Sequence, residues 1–139
     1  MYLTRLIYVS TISEDCSPND IERILTTSKK NNVNHHVTGM LSFNQHFFLQ
    51  CLEGSRTEVN RTYQRILQDR RHYNVTMLYF QEVNSRSFGD WSMGHIKIGK
   101  ITDMLSMQFS SGPEFDPYHL TGESAYLMLL ELKKQLPST

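Results

Sequence analysis

The sequence has little cysteine, no excess of either charge and no long apolar run, and each absence excludes a class of protein. Cys16 and Cys51 are its two cysteines, too few for a disulfide framework, so we expect reduced thiols and a cytoplasmic location. Fourteen basic residues balance fourteen acidic ones, which argues against a general binder of nucleic acids or membrane surfaces. The N-terminus lacks the pattern of a signal peptide, and no stretch is apolar enough to span a membrane.

The common catalytic and metal-binding motifs are also missing. The six histidines lack the ligand spacing of a zinc or iron site. There is no glycine-rich phosphate loop, no G-x-S-x-G elbow and no C-x-x-C pair. We therefore predict that the protein holds no metal.

What is present is a regular succession of strand and helix patterns over 139 residues. Apolar runs and alternation predict strands at 4–10, 36–43, 47–54 and 75–83, with a short fifth strand inside 89–99. Strands and helices then follow each other as β-α-β-β-α-β-β. Two helices crossing one face of a mainly antiparallel sheet form a ferredoxin-like α+β fold.

The two helices between these strands have recognisable ends. Ser17 as a cap, followed by Pro18, predicts the start of the first helix, which should run to about residue 30. Asn31 and Asn32 are suited to end it. A second helix is predicted from about residue 56 to 68, with Ser55 as its cap.

The chain beyond residue 99 has a different pattern. Short and longer helices are predicted at 102–109 and from 121 to about 135, with a linker at 111–117. Since alternation makes both faces of the sheet apolar, the face without the first two helices needs a cover, which these late helices or another subunit would supply. We expect one domain at 1–99 and a helical extension at 100–139, which serves as cap, signalling element or oligomerisation element.

A few polar residues lie where the apolar pattern asks for hydrophobic ones. In FFLQCLEG, Gln50 shares a strand face with Phe48, and an unpaired buried amide costs roughly 1–3 kcal/mol. Tyr8 lies inward on the first strand, and Ser28 and Asn32 lie on the apolar stripe of the first helix. Each residue alone has an ordinary structural explanation. Together with Arg65 they predict a polar cluster between the helices, of the kind that surrounds a ligand with polar edges and an apolar body.

These residues belong to a set of motifs that resembles a known family, the BLUF domains, which sense blue light using FAD. The resemblance covers residues 1 to about 99 and is nearest to the short cyanobacterial-type members without an effector domain. The matching motifs are RLIYVS (5–10), NN (31–32), VTGML (37–41), FFLQCLEG (47–54), RILQDRRH (65–72) and FGDWSMG (88–94).

The resemblance implies a role for each matched position. Tyr8 would transfer an electron and then a proton to the excited flavin, and Gln50 would bridge that tyrosine and the flavin, changing its hydrogen bonds in light. Trp91 and Met93, on the fifth strand, would relay the change. The implied FAD-binding residues are Ile24, Ser28, Asn31, Asn32, Phe48, Gln50, Arg65, Ile66, Asp69, Arg71 and His72.

The same resemblance implies a photoreceptor that is not an enzyme. Its output would pass to an unidentified signalling protein or through a change in assembly, with the chain forming a homo-oligomer. Two alternatives remain open at this point. One is an acylphosphatase-like hydrolase, although the loop after the first strand lacks the arginine that such an enzyme needs. The other is a ligand-free interaction module in which Tyr8 and Gln50 simply bind each other.

Overall fold

A single sheet of five strands organises the computed structural model, which describes residues 2–97, 107–109 and 116–135. The strands are β1 (Leu3–Ile12), β2 (Thr38–Phe43), β3 (Phe47–Ser55), β4 (His72–Glu82) and β5 (Gly94–Lys97). The helices are α1 (Pro18–His35), α2 (Arg56–Leu67) and α3 (Gly122–Lys133), with a 3₁₀ turn at Pro117–His119. Within these ranges, no helix has the length and apolar character needed to cross a membrane.

The strand order is β4-β1-β3-β2-β5. β1 lies between β4 and β3 and pairs antiparallel with both, while β5 joins β2 in parallel. This confirms the predicted ferredoxin-like plan, with β1 and β3 as central neighbours. Residues that face the same way on these two strands are therefore brought together.

Each face of the sheet packs against helices. On one face, Leu6 and Leu52 pack with Leu25 of α1 and Val59 of α2. On the other face, side chains of β1 and β3 pack with the apolar side of α3, including the fully buried Leu129. The prediction that a late helix covers the second face is confirmed. The predicted helix at 102–109 lies largely outside the described residues, of which 107–109 are helical.

The start of α1 is as predicted, but its end is not. The Ser17 hydroxyl accepts from the backbone N–H of Asp20, whose carboxylate in turn accepts from the Ser17 backbone. The helix continues past residue 30 to its cap at His36, which has a left-handed backbone (φ 57°). Asn31 and Asn32 are therefore helical and do not end it, because asparagine only weakly disfavours a helix interior and tertiary contacts override that preference.

Two strand boundaries also differ from the prediction. β4 begins at His72 rather than Val75, because β1 extends to Ile12 and pairs with His72 there. β5 begins at Gly94, so Trp91 and Met93 lie in the preceding segment and not on the fifth strand. Side chains of other elements bind the backbone of that segment in place of a strand ladder.

Candidate cofactor site

A cavity of about 220 Å³ lies between α1 and α2, above β1 and β3. Its volume is below the roughly 300–1,000 Å³ of pockets that enclose a whole drug-sized ligand, so it suits the enclosure of one part of a larger molecule. The lining residues are Tyr8, Ile24, Thr27, Ser28, Asn31, Asn32, Leu41, Phe48, Gln50, Thr62, Arg65, Ile66, Asp69, Arg71 and His72.

The structure brings Tyr8 and all eleven implied cofactor-binding residues to the wall of this cavity. Thr27, Leu41 and Thr62 also line it and were missed. Thr62 could have been identified from the sequence, since it lies on the apolar stripe of α2. Leu41 pairs directly with Gln50 across β2 and β3. Its place in the cavity wall follows only from the register of these two strands.

Tyr8 and Gln50 lie directly opposite each other on β1 and β3. Opposite residues of an antiparallel pair share a face, and here the Tyr8 hydroxyl donates a hydrogen bond to Gln50 Oε1. The other end of the amide is used as well: Gln50 Nε2 donates to Met93 Sδ at 3.3 Å. Gln50 therefore connects a tyrosine on one strand to the segment before β5.

The phenol of Tyr8 is held in its neutral form. Burial raises its pKa far above the ordinary value, and the nearby Tyr63 and Asp69 raise it further. A neutral phenol keeps the proton that it donates to Gln50. This orients the glutamine, with its carbonyl toward Tyr8 and its amide NH₂ toward Met93.

Met93 and Trp91 are separated by the sheet. Met93 is buried in the core on the cavity side, whereas Trp91 packs in the core beneath α3. On an ideal fifth strand the two residues would share one face, but they precede β5 and their segment does not alternate as a strand does. Met93 is the one that contacts the cavity network.

Asn32 ties α1 to the same segment. Its side chain is 2% exposed, and Nδ2 donates to the backbone carbonyl of Ser92 at 2.7 Å. Ser28, one helical turn before Asn32, also lines the cavity. Asn31 lines it as well, and its side-chain amide has no protein partner among the described residues. The face of α1 toward the cavity thus combines one committed amide with one available for a ligand.

The outer rim of the cavity is charged. Arg71 and Asp69 form an ion pair with Nη2 and Oδ2 2.6 Å apart. The hydrogen bond from Arg71 lowers the pKa of Asp69, and the hydrogen bond to Asp69 raises the pKa of Arg71. The guanidinium of Arg65 makes one side-chain hydrogen bond within the described part of the chain, from Nη2 to the Thr62 hydroxyl at 3.4 Å. Its other N–H groups remain as donors for an acceptor in the cavity.

The resemblance implies that His72 lies near the phosphates of the cofactor, but its ring nitrogens are already bound by the protein. Its Nε2 lies 2.7 Å from the carbonyl of Ile66, which can only accept, and its Nδ1 lies 2.7 Å from the Ser10 hydroxyl. Both ring nitrogens are therefore satisfied by the protein. His72 presents its ring to the cavity, near the rings of Tyr8 and Phe48, and leaves no nitrogen free for a phosphate.

The site fits the chemistry of a flavin ring. Such a ring needs apolar contacts on its faces and a few hydrogen bonds at its edge. Ile24, Phe48 and Ile66 supply the apolar contacts, and Asn31 and Arg65 supply donors that the protein has not used. No group of side chains suited to a metal ion is present in the described residues.

Comparison with known proteins names the family. The family model described as "BLUF: Sensors of blue-light using FAD" matches residues 3–94. The chain is 36% identical over 112 residues to the blue light- and temperature-regulated antirepressor BluF of Escherichia coli (strain K12), covering 79% of this chain and 28% of that protein. It is 33% identical over 92 residues to the photoactivated adenylate cyclase subunit beta of Euglena gracilis, covering 66% of this chain and 11% of that one. The chain thus spans a minor part of these relatives.

Solved structures give the same result. The photo-activated state of BlsA superimposes with a TM-score of 0.88 at 27% identity, over 99% of this chain and 98% of the other. Its ground state gives a TM-score of 0.86 at 26% identity, over 99% and 91%. The family match decides against a hydrolase and against a ligand-free module. The chain belongs to the BLUF family and is a sensor of blue light that uses a flavin.

Proposed function

We propose that this chain binds FAD in the cavity between α1 and α2 and converts blue light into a change in the hydrogen bonds of Gln50. When bound, the flavin supplies absorption of blue light and an excited state that accepts an electron. The observation that carries the proposal is the continuous chain of contacts that starts at Tyr8 and Gln50 on the cavity wall and ends at Met93.

The two ends of Gln50 make the network bistable. In the dark arrangement Tyr8 donates to Oε1 and Nε2 donates to Met93 Sδ. Rotation of the amide, or its tautomerisation, exchanges donor and acceptor. After rotation an amide oxygen faces the Met93 sulfur, which is itself an acceptor, so the contact that holds Met93 is lost. Light at the flavin would thus release Met93 from Gln50.

Water is kept away from this network by the surrounding residues. Tyr8 and Gln50 are 3% and 4% exposed, and Phe48 and Leu52 flank Gln50 on the same strand face. In such a dry site an unpaired donor or acceptor is costly, which favours two discrete arrangements over a continuum. We propose that Tyr8 serves as the electron donor and that Gln50 is the moving element.

Spectroscopy of the purified protein tests this proposal. We expect a yellow protein whose absorption shifts reversibly to the red under blue light. Tyr8→Phe and Gln50→Ala should abolish the shift. Tyr63→Phe is the matched control, because its ring lies 5.8 Å from that of Tyr8 and also lines the core, and it should keep the shift. A colourless protein, or a normal shift in Tyr8→Phe, contradicts the proposal.

The identity of the flavin is tested separately. Arg71, partly neutralised by Asp69, and the uncommitted guanidinium of Arg65 make the rim suited to a phosphorylated tail that leaves the cavity. We infer that this tail is the dinucleotide of FAD. Release of the cofactor by heat, followed by chromatography and mass spectrometry, should give FAD, whereas FMN alone contradicts this part.

We further propose that the output reaches a partner protein in the cytoplasm, through residues 100–139, and that the chain forms a homo-oligomer. Its two cysteines are unpaired, in keeping with a reducing compartment. Met77 and Phe80 are exposed on the edge strand β4, an apolar surface suited to contact between copies. Light scattering in darkness and in light tests assembly, and a monomer at all concentrations contradicts the oligomer.

A further inference from the structure

A buried carboxylate on the far side of the sheet holds the segment that carries Met93. Glu53 lies on β3, three residues after Gln50, and its side chain is fully buried. Its Oε1 accepts from the backbone N–H of Phe88 at 2.7 Å, and its Oε2 accepts from that of Ser87 at 2.9 Å. Arg5 supplies the opposite charge through Nε at 2.7 Å. Two consecutive amides are thereby fixed to a central strand.

The other end of the same segment is bound at the cavity. Gln50 holds Met93, Asn32 holds the carbonyl of Ser92, and the backbone N–H of Gly39 donates to the carbonyl of Trp91 at 3.2 Å. The segment 87–93 is thus attached to the sheet at its start and to the cavity network at its end. Between these attachments lies only the short exposed turn at Gly89 and Asp90, which the backbone N–H of Trp91 closes by donating to the carbonyl of Phe88, so a displacement of the end can reach the start.

α3 binds this segment at its first residue. The Ser87 hydroxyl lies 2.7 Å from that of Tyr126 and accepts from Arg5 Nη2 at 2.8 Å, and the Ser87 carbonyl accepts from Lys133 Nζ. Tyr126 and Lys133 are two turns apart and lie on one side of α3. The guanidinium carbon of Arg5 lies 4.3 Å from the centre of the Tyr126 ring. Two positions of the helix thus contact one serine.

We propose that Glu53 and Ser87 form the junction through which α3 responds to the state of Gln50, with Glu53 as a positioning residue. Glu53 binds the amide groups of Ser87 and Phe88 but not the hydroxyl or carbonyl of Ser87, which are the groups that α3 binds. When Met93 is released, the segment pivots about the Glu53 carboxylate, and the contacts of Ser87 with Tyr126 and Lys133 change. This inference rests on the proposed function and names its route to α3.

Hydrogen exchange of the flavin-loaded full chain tests the junction. Light-minus-dark exchange is measured by mass spectrometry over 122–133, with the absorption shift recorded on the same samples. Ser87→Ala and Glu53→Gln should keep the red shift, because neither residue touches the cavity. Their light-induced change in exchange over α3 should be largely lost, because Ser87→Ala lacks the hydroxyl bond to Tyr126 and Glu53→Gln weakens the bonds to the Ser87 and Phe88 amides. Glu131→Gln, the same substitution on α3 at a residue bound to Lys134, is the control and should respond as the parent does.

If the ion pair of Glu53 and Arg5 serves stability alone, the variants should lose stability and keep the light response of α3. If the variants lose stability but α3 still responds to light as in the parent, the junction is wrong. It is also wrong if the parent shows the red shift without any response over 122–133. If Glu53→Gln does not fold, Ser87→Ala decides alone, since it removes the hydroxyl contacts to Tyr126 and Arg5 and leaves the backbone bonds of Ser87 to Glu53 and Lys133 in place. A parent without any red shift overturns the proposed function together with this inference, which distinguishes the two failures.

Discussion

The hydrogen bond between Tyr8 and Gln50 allows a quantitative prediction in the dark. Both side chains are buried, at 3% and 4% exposure, so removing one partner leaves the other unsatisfied. Tyr8→Phe should cost about 1–3 kcal/mol of unfolding free energy, because Gln50 Oε1 loses its donor. Gln50→Leu should cost a similar amount, because the Tyr8 hydroxyl loses its acceptor, whereas the Met93 sulfur is a weak acceptor and loses little.

The double variant, Tyr8→Phe with Gln50→Leu, leaves neither group unsatisfied. Replacing both partners by apolar groups is close to neutral, so the double variant should lose at least about 1 kcal/mol less than the sum of the two single losses. The four proteins are compared by urea unfolding in darkness, followed by far-ultraviolet circular dichroism. Each value is corrected for its measured flavin affinity, because binding stabilises the folded state by mass action.

Additive losses would refute this reasoning. If the two single effects sum to the double effect within about 0.5 kcal/mol, the residues act independently and the hydrogen bond is not the link between them. The absorption shift gives a second check on the same proteins, since each single variant should lack it. A single variant that keeps both the shift and the parent's stability contradicts the assignment of the network.

Three further predictions concern other parts of the structure. Met93→Leu keeps the volume but removes the acceptor for Gln50 Nε2, so the red shift should remain while its dark recovery slows by about two- to fivefold, as measured by absorbance. Arg71 lowers the pKa of Asp69. The stability that ionised Asp69 contributes is therefore present above the pKa of an aspartate in the unfolded chain, about 3.9, and is lost as the pH falls through the lower pKa in the folded protein. Urea midpoints should therefore fall less steeply below about pH 4 in Asp69→Asn than in the parent; an equal fall contradicts the ion pair. In Gly122→Ala the new Cβ would lie 2.2 Å from a backbone carbonyl of β4, so α3 must shift and the thermal midpoint should drop; an unchanged midpoint contradicts that close packing.

Much of the fold could be read along the chain because local patterns repeat at the period of each element. Alternation placed Phe48 and Gln50 on one face of β3, as the structure has them. The capping pattern at Ser17 located the start of α1 because both partners lie within three residues. The family motifs then identified the cavity-lining residues, since each motif is itself a short local pattern.

Contacts between distant residues lie beyond local patterns. The end of α1 depended on Asn32, which is held by Ser92, 60 residues away. In the sequence, Trp91 and Met93 look like one alternating pair, yet the segment is bound by side chains on both faces of the sheet and divides them between two cores. In the sequence, Glu53 looks like an ordinary charged residue near the end of a strand. In the structure, the backbone N–H groups of Ser87 and Phe88 donate to its carboxylate.

The sequence by itself determined the order of the elements, the inward direction of Tyr8 and Gln50 and the family, because these follow from short-range periodicity and from motifs. Only the tertiary structure decided that Gln50 reaches Met93 rather than Trp91 and that Glu53 binds the backbone of Ser87, a residue that α3 also contacts. The physical reason is that a buried polar group takes whichever partner the packing places within about 3 Å, and that partner is chosen by the fold and not by its distance along the chain.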